Sequence, residues 1–409
     1  MIKKEIPVPK KEIPMTFAER AAKLGLGNPN MSPGEMIDAL LTVDSIDHLK
    51  DIFDQGGSVD ARNTHVQALF AGVAQGRDAE SALLRSVHQY VFGNAELSDE
   101  DRATVAPAFP LTVRAITASD KVVDGQWDLG ISGTPVVLNI GTLTINQGGF
   151  ITIENTALSL TVDNLVRNGN TGNAAGDFNI FGNPGTAAGP GASPSPPGQA
   201  QNGAPGTCSS GGVAAGGGGN GSTGATGTVG GVGGTGGTGL PSLPAIITIT
   251  SSISGTASQI TIHTASGAGG AGGPGGTGAA GGQGGNGGDG VTCACTGNSG
   301  GTGGQGGTGG AGGQGGPGGN AVDAAGNVTV SVPAQFAGMI VPISLVVQPG
   351  AGGAGGAGGP GGAGGGGSSG GKHNDGGSGG SVGAPGASGS AGQAGTQIGK
   401  PATIIVQPT

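Results

Sequence analysis

Gly267-Ala-Gly-Gly-Ala-Gly-Gly-Pro-Gly-Gly-Thr-Gly-Ala-Ala-Gly-Gly-Gln-Gly-Gly-Asn-Gly-Gly-Asp-Gly290 decides how this chain is read. Its unit is Gly-Gly-X, broken once, at Ala279. The unit runs unbroken over 299–320 and over 350–372 with one slip at Ser368. A period of three fits neither the α-helix nor the strand. It is the period of a polyproline-II-type helix, which rises about 3.1 Å per residue and makes no hydrogen bonds within itself. Such backbones need lateral partners wherever water is excluded. Two Gly per turn lets two faces touch neighbours while the third shows a side chain, so the tracts read as laterally bonded polyglycine-II helices. A flexible Gly-rich linker has no reason to keep phase over so many triplets.

The tracts come in pairs. One pair is 267–290 and 299–320, joined by 291–298. Another is 350–371 and 376–395, joined by Lys372-His-Asn-Asp375. A rougher, Pro-rich pair covers about 182–207 and 217–239, turning near 208–216. Strand-type segments flank them: 245–250, 259–263, 328–332, 343–348 and 403–407 are β-branched and alternating. The chain is expected to leave a sheet, turn and return three times, giving six antiparallel rods. About 22 residues at the polyproline-II rise reach about 70 Å, which gathers the three turns at one far end. All three cysteines, Cys208, Cys293 and Cys295, fall in the first two turns. Cys208 can bond Cys293 or Cys295, leaving one thiol over. Free thiols, or a zinc site completed by His373 in the third turn, are the alternatives, although the spacing matches no standard zinc pattern.

The rest of the chain differs in composition. Of 16 Lys and Arg, 11 lie in 1–105, and only Lys372 and Lys400 lie beyond 168. The glycine-rich part is nearly uncharged, which excludes a basic nucleic-acid groove. The net charge of -9 comes mainly from the N-terminal region. Residues 1–15 are charged and Pro-interrupted, with no secretion signal, and no run spans a bilayer. They read as an extended arm. Residues 16–105 read as a small all-α attachment domain. Thr16-Phe-Ala-Glu19 is a capping box, and Ser32-Pro-Gly-Glu35 opens a helix carrying Met36, Ile37, Leu40 and Leu41 inward. Helices are also expected over 45–54, 66–74 and 79–92, with Ser98 capping a last one. Residues 106–181 read as the first half of a β-sandwich-like sheet, with strands at 111–116, 136–140, 142–145, 150–154 and 159–165. The bundle of about six rods then occupies 182–409, with strands interspersed at 245–264, 327–348 and 402–408.

Two further motifs are chance products of glycine richness. Gly284–Thr292 matches a calcium β-roll nonapeptide once, whereas such sites need consecutive turns. Gly366–Lys372 outlines a phosphate loop, but His373 replaces the Ser/Thr and no strand precedes it. His263 reads as structural, His48, His65 and His88 are scattered, and no catalytic constellation or cofactor site emerges. The chain is not expected to be an enzyme.

Long Gly-Gly-X arms that leave and rejoin short β-segments, over about 180–409, resemble the polyglycine-II receptor-binding adhesins at the tips of some T-even-like phage tail fibres. They are also similar to glycine-rich domains of other phage tail proteins. The resemblance implies a virion protein released by lysis that attaches through residues 1–105 to other virion proteins in a fibre or homo-oligomeric assembly. It implies a host cell-surface receptor met by the distal turns, at Cys208, Ser209, Ser210, Val291, Thr292, Ala294, Thr296, Asn298, Lys372, His373, Asn374 and Asp375. No nucleic acid and no membrane insertion are implied. Two other readings stand beside it: a spacer fibre without a receptor, and an ice-binding protein. Springtail-type antifreeze proteins also stack such helices in two layers.

Overall fold

The computed structural model describes residues 15–27, 31–32, 34–53, 79–92, 95–130, 133–169, 176–257 and 259–409. Most of the expected N-terminal arm, the expected helix at 66–74 and His65 lie outside them. Four α-helices occur among the described residues: α1 (Phe17–Lys23), α2 (Ile46–Phe53), α3 (Ala79–Val91) and α4 (Asp99–Val105). The strands are β1 (Met36–Val43), β2 (Leu111–Val123), β3 (Gln126–Asp128), β4 (Val136–Ile145), β5 (Phe150–Glu154), β6 (Leu158–Arg167), β7 (Phe178–Phe181), β8 (Thr207–Cys208), β9 (Ala214–Gly216), β10 (Ala245–Gly255), β11 (Ile260–Ala265), β12 (Val328–Val332), β13 (Ile340–Leu345) and β14 (Ile404–Pro408).

The expected fold class is corrected. The regular structure is mostly sheet with few helices: a seven-stranded mixed sheet ordered β1-β2-β4-β6-β10-β12-β14 and a five-stranded sheet ordered β13-β11-β7-β5-β3. Neither an all-α first domain nor a bundle of polyglycine-II helices describes this architecture. Strand pairing organises the molecule because its apolar, β-branched residues are concentrated in the strands, and only there can a large core form. Ile116, Leu138, Leu160, Ile247 and Val330 from one sheet meet Ile151, Ile153, Phe178, Ile180 and Ile262 from the other in a single core.

From β2 onward, β8 and β9 apart, the chain alternates between the two sheets, and every pairing within those sheets after β2 is parallel. Each circuit therefore stacks on the one before, as in a solenoid. The corner leading from the five-stranded sheet back to the seven-stranded one is short after β3 and β5. After β7, β11 and β13 the same corner holds a pair of glycine-rich arms. Arms 1 and 2 are 182–206 and 217–239, arms 3 and 4 are 266–290 and 299–320, and arms 5 and 6 are 349–371 and 376–395.

The arms belong to no helix and no sheet, but they do not hang free. Backbone bonds recur every third residue. Arm 1 donates to arm 3 (Gly185 N to Ala268 O, 2.8 Å) and arm 3 to arm 5 (Gly272 N to Ala351 O, 2.8 Å). Arm 2 donates to arm 4 (Gly230 N to Ala311 O, 2.9 Å) and arm 4 to arm 6 (Gly312 N to Ala387 O, 2.8 Å). Diagonal bonds such as Gly276 N to Gly231 O and Gly313 N to Gly276 O join the two layers. Side chains add rungs between equivalent positions of successive arms: Asn202 Oδ1 accepts from Asn286 N, Asn286 Oδ1 from Gly366 N, and Asn220 Oδ1 from Thr302 N.

One ladder has a gap: Pro194 and Pro197 on arm 1 have no N–H to give to arm 3, and the ladder passes from Gly191 directly to Ala200. On arm 6, Val382 and Pro385 stand where interior arms carry Gly, and Val382 is exposed.

At the N-terminus, the capping box of α1 forms between Thr16 and Glu19. Buried Arg20 pins this helix to the larger sheet, with Nε on Asn139 Oδ1 at 2.8 Å and Nη2 on Asp163 at 2.7 Å. The expected helix after Ser32 is instead β1, antiparallel to β2 from Met36–Ala118 to Val43–Leu111. The Ser32–Glu35 contact is made (Ser32 N to Glu35 Oε2, 2.8 Å), but as a turn. Alternation of Ile37, Ala39, Leu41 and Val43 puts the less exposed residues on one face, whose Leu41 and Val43 pack with the helices, and the edge of β2 supplies the backbone partners a lone helix would not need. Among the described residues, no helix is long and apolar enough to cross a membrane.

Candidate functional site

The turns at the ends of the three arm pairs meet. In the first, β8 and β9 form a small antiparallel ribbon around Ser209–Val213, where Gly212 takes a left-handed φ of 72°. In the second, Thr292 and Gly297 bridge across the turn and Cys293 N donates to Thr296 O at 2.7 Å. In the third, Asn374 N returns to Gly371 O at 3.0 Å, and His373 adopts φ 62°.

Covalent and polar contacts fasten the turns to one another. Cys208 is disulfide-bonded to Cys293 across 85 residues of sequence, while Cys295 is free and exposed. With two of the three sulfurs consumed in that bond, the cysteines do not form a zinc set with His373. Ala214 N donates to Thr296 Oγ1 at 2.8 Å, joining the first turn to the second. Lys372 N donates to Thr292 Oγ1 at 2.9 Å, joining the second to the third. Asn298 stands between all three: its Oδ1 accepts from Val291 N at 2.6 Å, its Nδ2 donates to Gly216 O, and its carbonyl accepts from Gly371 N at 2.8 Å.

The twelve candidate contact residues therefore separate by role. Val291 and Asn298 are half-buried; Asn298, with Cys208, Thr292 and Thr296, ties one turn to another. Cys208, Ser209, Ser210, Thr292, Ala294, Thr296, Lys372, His373, Asn374 and Asp375 are exposed. Sequence reasoning missed Asp289 and Ser369, which lie just behind the turns on neighbouring arms. The Asp289 carboxylate accepts from the Ser369 hydroxyl at 2.8 Å and amide at 3.1 Å. These two bonds hold its pKa below the usual carboxylate value. The available signal was their separation of 80 residues, shared with Asn286–Gly366 and Thr292–Lys372.

His263 sits far from this end, buried in β11. Burial pushes its imidazole pKa down, against an opposing pull from Asp177. Asp177 itself pairs with buried Arg167 at 2.7 Å, so the group belongs to the solenoid's framework. Among the described residues, no three His, Cys, Asp or Glu side chains come together as metal ligands.

No family model matches the chain, and no curated protein does. Among solved structures, the springtail antifreeze protein from Granisotoma rainieri, described as a nine polyproline type II helical bundle, aligns at 26% identity. The alignment covers 51% of this chain and 93% of that one, with a TM-score of 0.09. A TM-score that low carries no argument about fold or function.

Proposed function

We propose that the protein is a non-catalytic fibre-tip adhesin of a virion, with the joined turns as its receptor-contacting surface and residues 1–105 as its attachment to other virion proteins. The observation that carries this reading is the cross-linking of the three turns. A disulfide and side-chain bonds from Thr292, Thr296 and Asn298 hold ten exposed residues in one arrangement. A spacer has no need to fix the far ends of its arms against each other. Loops held rigidly on a scaffold are where binding residues collect, because the ordering entropy is met before the ligand arrives.

Fluorescently labelled protein applied to a panel of bacterial strains tests the proposal. On a strain that binds, Ser210→Arg combined with Lys372→Ala and His373→Gly should lower binding at least tenfold while the melting temperature holds. None of these side chains joins one turn to another, and Gly suits the left-handed backbone at 373. Binding to no strain, or equal binding by the triple variant, favours the spacer reading.

A further inference from the structure

We infer that the outer face of arms 2, 4 and 6 is a self-association surface, pairing two copies of this chain side by side with their tips level. The lattice bonds fix which residues stand at one height. Gly230 N to Ala311 O and Gly312 N to Ala387 O align Val229, Ala311 and Ala387. Gly233 N to Gln314 O and Gly315 N to Ser390 O align Val232, Gln314 and Ser390 one level on. Over seven such levels, from Asn220–Thr302–Ser378 to Thr238–Asn320–Thr396, the face carries no charged residue. Val229 and Val232 at its middle are 59% and 65% exposed, a state that costs free energy in water.

The face is also asymmetric in a useful way. The arm 2 column is β-branched: Thr223, Thr226, Val229, Val232, Thr235 and Thr238. The arm 6 column is small at the heights of Thr223 to Val232, with Ser381, Ala384, Ala387 and Ser390, and ends in Gln393 and Thr396. A two-fold axis running along the arms lays arm 2 of one copy over arm 6 of the other, level on level, large against small at those four heights. Val229 then meets Ala387, and arm 4 meets arm 4. An axis running across the arms would set arm 2 on arm 2, ridge against ridge. The area suffices. Seven triplets of extended backbone, at up to about 3.3 Å per residue, across three hydrogen-bonded backbones about 5 Å apart, present up to about 1,000 Å² per copy. Stable complexes bury about 800 Å² per partner.

Sedimentation equilibrium of the full chain tests this, in a Cys295→Ser background that keeps the free thiol out of the result. The expected species is a dimer. Val229→Lys alone and Ala387→Asp alone should each weaken it at least tenfold without lowering the melting temperature, since both positions are exposed. The double variant should restore it, because residue 229 of one copy faces residue 387 of the other. Ala354→Lys, on the opposite face of the slab, should leave dimerisation unchanged. A chain monomeric at all concentrations overturns the inference, as does a double variant that fails to recover. Thermal hysteresis in a monomer, abolished by Val229→Lys, would reassign the face to ice and overturn it too.

Discussion

A Cβ added to Gly310 would overlap the carbonyl oxygen of Thr228 on the neighbouring arm, whereas Gln305, on the same arm, points into water. Gly310→Val should therefore destabilise by about 1–3 kcal/mol or more, the range for overpacking. Gln305→Val should stay within about 0.5 kcal/mol, as exposed substitutions do. Equal melting temperatures would contradict the role assigned to the lattice. Gly189 and Gly198 on arm 1 have open space around the same position, so alanine is expected to be tolerated there. Asp289 gives a second residue-level test. Its pKa is depressed in the folded state by Ser369, so its stabilisation is fully present above the ordinary carboxylate value of about 3.9. It is lost as pH falls through the depressed value. Asp289→Asn should flatten that acid limb of a stability–pH curve, and an unchanged curve would remove Asp289 from the account.

Single elements were legible in the sequence to differing degrees. The strand at Val328–Val332 is readable because its β-branched alternation is bounded by turn residues. The segment at Met36–Val43 is not, because Met36, Ile37, Leu40 and Leu41 also fit a helical stripe, and pairing with β2 decides between the two. β13 begins at Ile340, three residues before the expected start at 343, because its pairing with β11 starts at Ile260 opposite Ile340. The architecture as a whole was not readable: the triplets dominate the composition, while the pairings that organise the fold join segments about 80 residues apart, such as Ala245 with Val328. At the candidate site, the cysteines mark the turns, but nothing local distinguishes Cys293 from Cys295 as the partner of Cys208. The disulfide supports a test at this scale. Cys208→Ser should cost about 2–4 kcal/mol and raise amide exchange at Val291–Asn298, while amides in β10 and β12 keep their protection. Loss of protection throughout would mean that the tip and the sheets unfold as one unit.

The molecule as a whole is two sheets wound into a solenoid, with three inserts at one corner. Arms 3 and 4 are bonded to neighbours on both sides; arms 5 and 6 close one edge. Replacing residues 349–395 with a short corner like the one after β5 should leave both sheets and arms 1 to 4 protected in hydrogen exchange. Excising 266–320 removes the middle of the slab together with the corner it occupies, and should expose the glycine amides of the remaining arms. If the two deletions exchange alike, the arms are not mutually supporting. The stacked coils also set an order of assembly. Each arm begins from a strand whose height is already set by the strand below it, so bases are brought into register before tips can find one another. Ladder formation then proceeds like a zip fastener from the core outward, with the Cys208–Cys293 bond closing its far end last.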